Sequence, residues 1–169
     1  MTNLTRLLIL CAGLALAACT DPGRFDDTNT VDLNGGNGGI AGSASDPSSP
    51  AYFQQAVGDR VLFVVDQYTL TPQARVTLDG QADWLMTNTD YNAVIEGHAD
   101  EQGTREYNLA LGARRANSVQ EYLLSRGVPA ARLRTVSYGK ERPIEICSEE
   151  SCYAQNRRAV TVISVGPTS

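Results

Sequence analysis

The 169-residue chain contains one histidine, one tryptophan, two methionines and no apolar run long enough to cross a bilayer. A spanning helix needs about 20 apolar residues, and the longest apolar stretch, Leu7 to Ala18, stops short of that. There is no basic tract and no aromatic platform, and the formal charge is −5, which argues against nucleic acid as a partner. Metal chemistry is poorly served as well. Cys147-x4-Cys152 would need further ligands, and the one histidine, His98, is distant in sequence, so no metal is expected. Nor does the sequence set a serine, cysteine or second base beside His98 to complete an acid-base mechanism. No cofactor is implied.

What is present begins with an address. Arg6, an Ala/Leu-rich run from Leu7, and Leu16-Ala17-Ala18-Cys19 make the charged region, short apolar region and small-residue cleavage site of a secretion signal over residues 1–18. Leu16-Ala17-Ala18-Cys19 also resembles the bacterial lipobox, in which the mature chain starts at a cysteine carrying a diacylglyceryl thioether. Cys19 is therefore the expected lipidation site. Three acyl chains, at about 0.8 kcal/mol per buried methylene, would make the anchoring effectively permanent. Thr20 rather than Asp after the cysteine resembles the outer-membrane sorting pattern.

Residues 19–50 read as a tether. Asp, Asn, Gly, Ser and Pro dominate it, centred on Asn34-Gly35-Gly36-Asn37-Gly38-Gly39, with too little apolar area to offset the entropy of ordering. A flexible segment of this length reaches roughly 30 Å on average and about 100 Å when stretched. Residues 51–169 remain for one domain with one core. Cys11 leaves with the signal and Cys19 is taken by lipid, so in an oxidising compartment Cys147 and Cys152 are expected to form a disulfide. So small a ring gains little from chain entropy and mainly shapes its own loop.

From Arg60 the pattern alternates strand and helix. Val61 to Val65 is a short apolar run of buried-strand type. Thr71-Pro72 supplies an N-cap and a first-turn proline, after which Ala74, Leu78, Ala82 and Leu85 recur at helical spacing toward Asn88. Tyr91 to His98 reads as a strand and Thr104 to Arg126 as a second helix closed by Gly127, with Pro129 beyond. Arg132 to Tyr138 and Ala159 to Val165 are the last strands. The order β-α-β-α-β-β predicts an α/β two-layer sandwich with a mixed four-stranded sheet and right-handed crossovers. On the second helix Leu109, Gly112, Ala116, Val119 and Leu123 form the stripe expected to face the sheet.

Chemistry concentrates between Glu96 and Leu123. Asp100 follows the strand that ends Glu96-Gly97-His98-Ala99, and Asn108, Leu111 and Arg115 fall together along one edge of the helical stripe, projecting toward the Asp100 loop. Opposite charges converging at such a crevice suit a zwitterionic ligand. A plain structural account is equally open: Asn108 as a satisfied polar residue, Leu111 as core rim and Arg115 as the salt-bridge partner of Asp100.

Phe63 with Asp66 and Tyr68, Glu96-Gly97-His98-Ala99-Asp100, Gly103-Thr104, Tyr107-Asn108, Leu111, Arg114-Arg115-Ala116-Asn117, Val136-Ser137-Tyr138-Gly139 and Asn156-Arg157-Arg158-Ala159-Val160 occur in order. Together they resemble the OmpA-like domain of the peptidoglycan-associated lipoproteins (Pal) across about residues 60 to 165. The same domain closes OmpA-like porins and flagellar stator proteins, but the lipobox and tether match the lipoprotein branch. The resemblance implies noncovalent binding of the peptidoglycan stem peptide at diaminopimelate, with no enzyme activity. It also implies an outer-membrane location through the lipid, a periplasmic domain, and exchange with the Tol proteins during constriction at division. Under it Asp100, Arg115, Asn108, Leu111, Asp66, Tyr68 and Thr104 are ligand-binding residues. Arg115 would grip the ligand carboxylate and Asp100 its ammonium, Asn108 a peptide group and Leu111 the methylenes, with Asp66 and Tyr68 on the opposite wall. Arg157 is expected to steady Asp66 or Asp100, and His98 to hydrogen-bond local backbone. The competing expectation is a lipid-anchored wall hydrolase or amidase using His98 and Asp100. The cysteine-bearing Glu145 to Cys152 loop is not a general feature of the family.

Overall fold

In the computed structural model residues 42–166 are described. The signal segment, Cys19 and most of the tether lie outside them. A short helical turn, Pro50–Tyr52, runs into a π-helical turn, Phe53–Gly58. The regular elements follow as β1 (Arg60–Leu62), α1 (Pro72–Thr87), β2 (Tyr91–His98), α2 (Arg105–Ser125), β3 (Leu133–Gly139), α3 (Glu150–Asn156) and β4 (Arg158–Val165). The sheet order is β1-β4-β2-β3, with β2 parallel to β3 and β4 antiparallel to both β1 and β2. This is the mixed four-stranded sheet read from the sequence, with α3 as an addition.

Both long helices start where their caps place them. Thr71 accepts from the Ala74 amide at 3.1 Å with Pro72 in the first turn, and Thr104 accepts from the Tyr107 amide at 3.2 Å. Arg132 closes α1 from outside, donating to the carbonyls of Leu85 (2.9 Å), Asn88 (3.0 Å) and Tyr91 (2.8 Å). Gly127, at φ +95°, ends α2, and the Val128 amide returns to the Leu123 carbonyl. Phe53, Leu78, Leu85, Ile95 and Leu123 are fully buried between helices and sheet. Within this core Gln81 bridges Thr161 and the Gly58 carbonyl, so its amide is satisfied.

Three local expectations are corrected. β1 stops at Leu62 rather than Val65, because the chain turns at Val64–Gln67 and the Val64 and Gln67 carbonyls are spent on Arg115. Leu109 is 49 % exposed, and Asn108 and Leu111 join Gly112, Ala116, Val119 and Leu123 on the buried face. Here the helix meets β3 through its backbone: Ser137 Oγ donates to the Leu109 carbonyl at 2.6 Å, and a Cβ on Gly139 would lie 2.8 Å from the Leu109 nitrogen. Finally, residues 46–49, assigned by composition to the tether, sit on the domain. The Trp84 indole donates to the Pro47 carbonyl at 2.7 Å, and Ser49 is buried as the cap of the first helical turn.

Candidate functional site

The β1–α1 loop, the loop after β2 and the first turns of α2 meet at one end of the sheet. Asp100 is buried there. Its Oδ1 accepts from the Gln102 amide at 3.2 Å and its Oδ2 from Arg157 Nη1 at 3.1 Å. The loop is held from two sides: Asn108 Nδ2 donates to the Gln102 carbonyl at 2.7 Å, and Lys140 Nζ to the Gly103 carbonyl at 2.7 Å. Across the gap Asp66 adopts the left-handed conformation, φ +56°, and accepts a hydrogen bond from the Tyr107 hydroxyl. Asp66, Asp100, Gly103, Tyr107, Asn108 and Leu111 enclose a crevice of about 270 Å³.

Arg115 lies behind it. Its side chain is fully buried and stacks 5.2 Å over the Phe63 ring. Nε donates to the Gln67 carbonyl at 2.8 Å, Nη1 to the His98 carbonyl at 2.8 Å and Nη2 to the Val64 carbonyl at 3.2 Å. Three of five N–H donors are thus spent on backbone, fastening the β1–α1 loop to the end of β2. Burial pulls the guanidinium down to about 10, opposed by the nearby Asp100 charge, so it stays cationic at neutral pH. The partner of Asp100 is Arg157, not Arg115. Arg157 also donates to Glu150 through Nη2, and although burial opposes its charge, Glu150 and Asp100 together hold it above the ordinary arginine value.

The expected residues therefore divide. Asp66, Asp100, Asn108 and Leu111 share the crevice, and Arg157 steadies Asp100. Arg115 underlies the wall without lining it. Tyr68 lies outside, its ring 5.5 Å from the Arg114 guanidinium, and Thr104 is the α2 cap. The sequence alone assigns no role to Tyr107 or Glu150. Glu150 and Arg157 are seven residues apart, two helical turns, a signal that becomes readable only once α3 is recognised.

His98 is 1 % exposed, and neither ring nitrogen has a hydrogen-bond partner among the described residues, which corrects the expected bond to local backbone. It lies 3.6 Å from Glu96 and beside the Tyr138 ring, outside the crevice. Burial, with Arg158 and Arg142 adding to it, pushes the imidazole down to about 4 from an ordinary 6.5. Between those values the unfolded chain binds the extra proton, so stability falls as pH drops from about 6.5 to about 4, by about 3 kcal/mol in all. No other histidine contributes. Urea midpoints measured from pH 6.5 to 5, above the carboxylate range, should decline in the wild type and stay nearly level in His98→Gln. Equal slopes would overturn this assignment. The Cys147–Cys152 disulfide is formed, with Cα atoms 6.0 Å apart.

Comparison with known proteins agrees with this architecture. The OmpA family matches residues 62–157. A peptidoglycan-associated lipoprotein of Rhizobium meliloti is 48% identical over 157 residues, covering 93% of this chain and 86% of the relative. One from Pseudomonas aeruginosa is 39% identical, covering 87% of this chain and 92% of the relative. The crystal structure of the peptidoglycan-associated lipoprotein from Burkholderia pseudomallei superposes with a TM-score of 0.64 at 38% identity, over 72% of this chain and 98% of that one. The C-terminal domain of Helicobacter pylori MotB shares the fold, with a TM-score of 0.60 at 20% identity over 64% of this chain and 86% of that one. The chain belongs to the OmpA family, in the group of the peptidoglycan-associated lipoproteins.

Proposed function

We propose that this chain is an outer-membrane lipoprotein, anchored through Cys19, whose periplasmic domain binds peptidoglycan noncovalently and without turnover. The observation that carries the reading is the crevice itself, two carboxylates at its walls over a buried cation, in a chain of this family. Its ligand is the zwitterionic end of diaminopimelate in the stem peptide. Asp100 and Asp66 accept from the ammonium, Leu111 packs on the methylenes, and Asn108, whose Nδ2 is engaged, offers its carbonyl oxygen to a peptide N–H. Arg115 has two uncommitted N–H groups. It meets the carboxylate by exchanging the Val64 carbonyl, the longest of its three bonds, for the ligand. Wall binding then links outer membrane to sacculus, and exchange with the Tol proteins at constriction is the wider setting. Burial of His98 away from the crevice favours this reading over a hydrolase.

The test is co-sedimentation of the detergent-solubilised full chain with purified sacculi, comparing wild type with Asp100→Asn. The substitution keeps the shape and leaves Arg157 its Glu150 partner. Pelleting should weaken more than tenfold, with no soluble fragments released. Unchanged pelleting would remove Asp100 from the site, and fragment release would return the enzyme reading.

A further inference from the structure

Glu150 begins α3 inside the ring closed by Cys147 and Cys152. The loop before it is clamped by the fully buried Asn156, which donates to the Glu145 carbonyl at 2.8 Å and accepts from the amides of Ile144 (2.9 Å) and Glu145 (3.2 Å). Disulfide and clamp thus hold the backbone from which the Glu150 carboxylate reaches out. It stands against Arg157, whose Nη1 is shared between Asp100 Oδ2 at 3.1 Å and Glu150 Oε2 at 3.4 Å, while Nη2 goes to Glu150 alone. One guanidinium therefore serves two carboxylates, and the trio keeps one uncompensated negative charge.

From this arrangement we propose that Glu150 is a specificity-determining positioning residue: by drawing Arg157 away from Asp100, it keeps Asp100 receptive to a ligand ammonium. The inference rests on the peptidoglycan reading above. With Glu150 in place Asp100 holds only one of the guanidinium's bonds, and an arriving ammonium meets a site of net negative charge. Without it Arg157 is free to pair with Asp100 through both terminal nitrogens, the bidentate geometry that arginine and carboxylate favour. The ammonium then has to compete with a full cation. The effect is confined to the amine. A ligand whose amine is acylated gains nothing from a receptive Asp100 and is indifferent to Glu150. The cysteine ring belongs to the same device, because it holds Glu150 in reach.

The experiment titrates the full chain in detergent with two forms of N-acetyl-L-alanyl-γ-D-glutamyl-meso-diaminopimelate, one with the side amine free and one with it acetylated. Wild type should prefer the free amine. Glu150→Gln should lower that preference roughly threefold to fivefold, the scale of one partly screened charge, and leave the acetylated form's affinity unchanged. Glu150 is 70 % exposed in its side chain, so the variant should fold. Glu150→Asp should restore part of the preference. Replacing both cysteines, Cys147→Ser with Cys152→Ser, should reduce it likewise, and adding Glu150→Gln to that variant should have little further effect. The same preference ratio in wild type and Glu150→Gln would overturn this proposal while leaving the peptidoglycan reading intact. Failure of wild type to bind either tripeptide would overturn both.

Discussion

Gly97→Ala is expected to take a large share of the domain's stability. A Cβ at Gly97 would lie 1.9 Å from the Gly112 carbonyl oxygen and 2.6 Å from its carbon, so methyl group and backbone cannot coexist. Neither side yields easily. Gly97 lies in β2 between its partners Ser137 and Ala159, at the register shift before His98, while Gly112 lies in the middle of α2. Relief requires α2 to lift from the sheet and open the core at Ala116 and Val119. Overpacking side chains costs about 1–3 kcal/mol. A clash between two backbones should exceed that, taking about 4 kcal/mol or more from a domain whose whole stability is of the order of 5–15 kcal/mol. Gly80→Ala is the control. In α1 its Cβ would sit 3.5 Å from Val57, ordinary contact, and the gain in helix propensity is up to about 1 kcal/mol. Denaturation midpoints should move in opposite directions for the two variants. A Gly97→Ala midpoint near wild type would contradict the packing of α2 on β2.

Arg115→Met should be the second severe change, and for a reason distinct from ligand binding. It removes a charged donor from three carbonyls, those of Val64, Gln67 and His98; Val64 keeps the Gln67 amide, while the bond to His98 is buried. Hydrogen bonds to charged groups are worth about 1.5–3 kcal/mol each, and truncating a buried charged network costs about 3–5 kcal/mol. A loss of about 4 kcal/mol is expected, with the β1–α1 loop loosening first, visible as faster amide exchange at Gln67, whose N–H bonds to Val64. Arg115→Lys should recover only part of this, because a single ammonium cannot span three carbonyls held by a planar fork. Sacculus binding should fall more than tenfold in both variants. The discriminating comparison is with Asp100→Asn: that variant should lose binding while retaining most of its stability, whereas Arg115→Met loses both. Wild-type stability in Arg115→Met would mean that the three bonds contribute nothing.

The sequence made the frame legible wherever a residue type has a strong local preference. Thr71-Pro72, Thr104, Gly127 and Pro129 bracket the long helices because caps and breakers act through their own backbone. The site was harder. Opposite charges invited a pairing of Asp100 with Arg115, yet Arg157 takes Asp100 and carbonyls take Arg115. Carbonyls belong to every residue and so leave no mark in a sequence. α3 leaves no trace in the sequence because Glu150 to Asn156 shows no apolar periodicity, its only buried residue being the polar Asn156. Leu109 departs from the stripe because the helix leans on β3 with its main chain, a closeness set by Gly139.

The seat of Pro47 on Trp84 gives the domain two ends. Trp84 packs on Tyr91, where β2 begins, and the crevice lies beyond His98, where β2 ends. The chain's entry and its proposed hold on the wall are thus separated along the strand by roughly 20 Å. Under the proposed anchoring, a pull between entry and crevice would act along the strands: along β1, which leads into the Asp66 loop and is paired to β4, and along β2, which is hydrogen-bonded on both sides. Pulled in that direction the ladders are sheared, every rung bearing load at once, rather than peeled open one at a time from an edge.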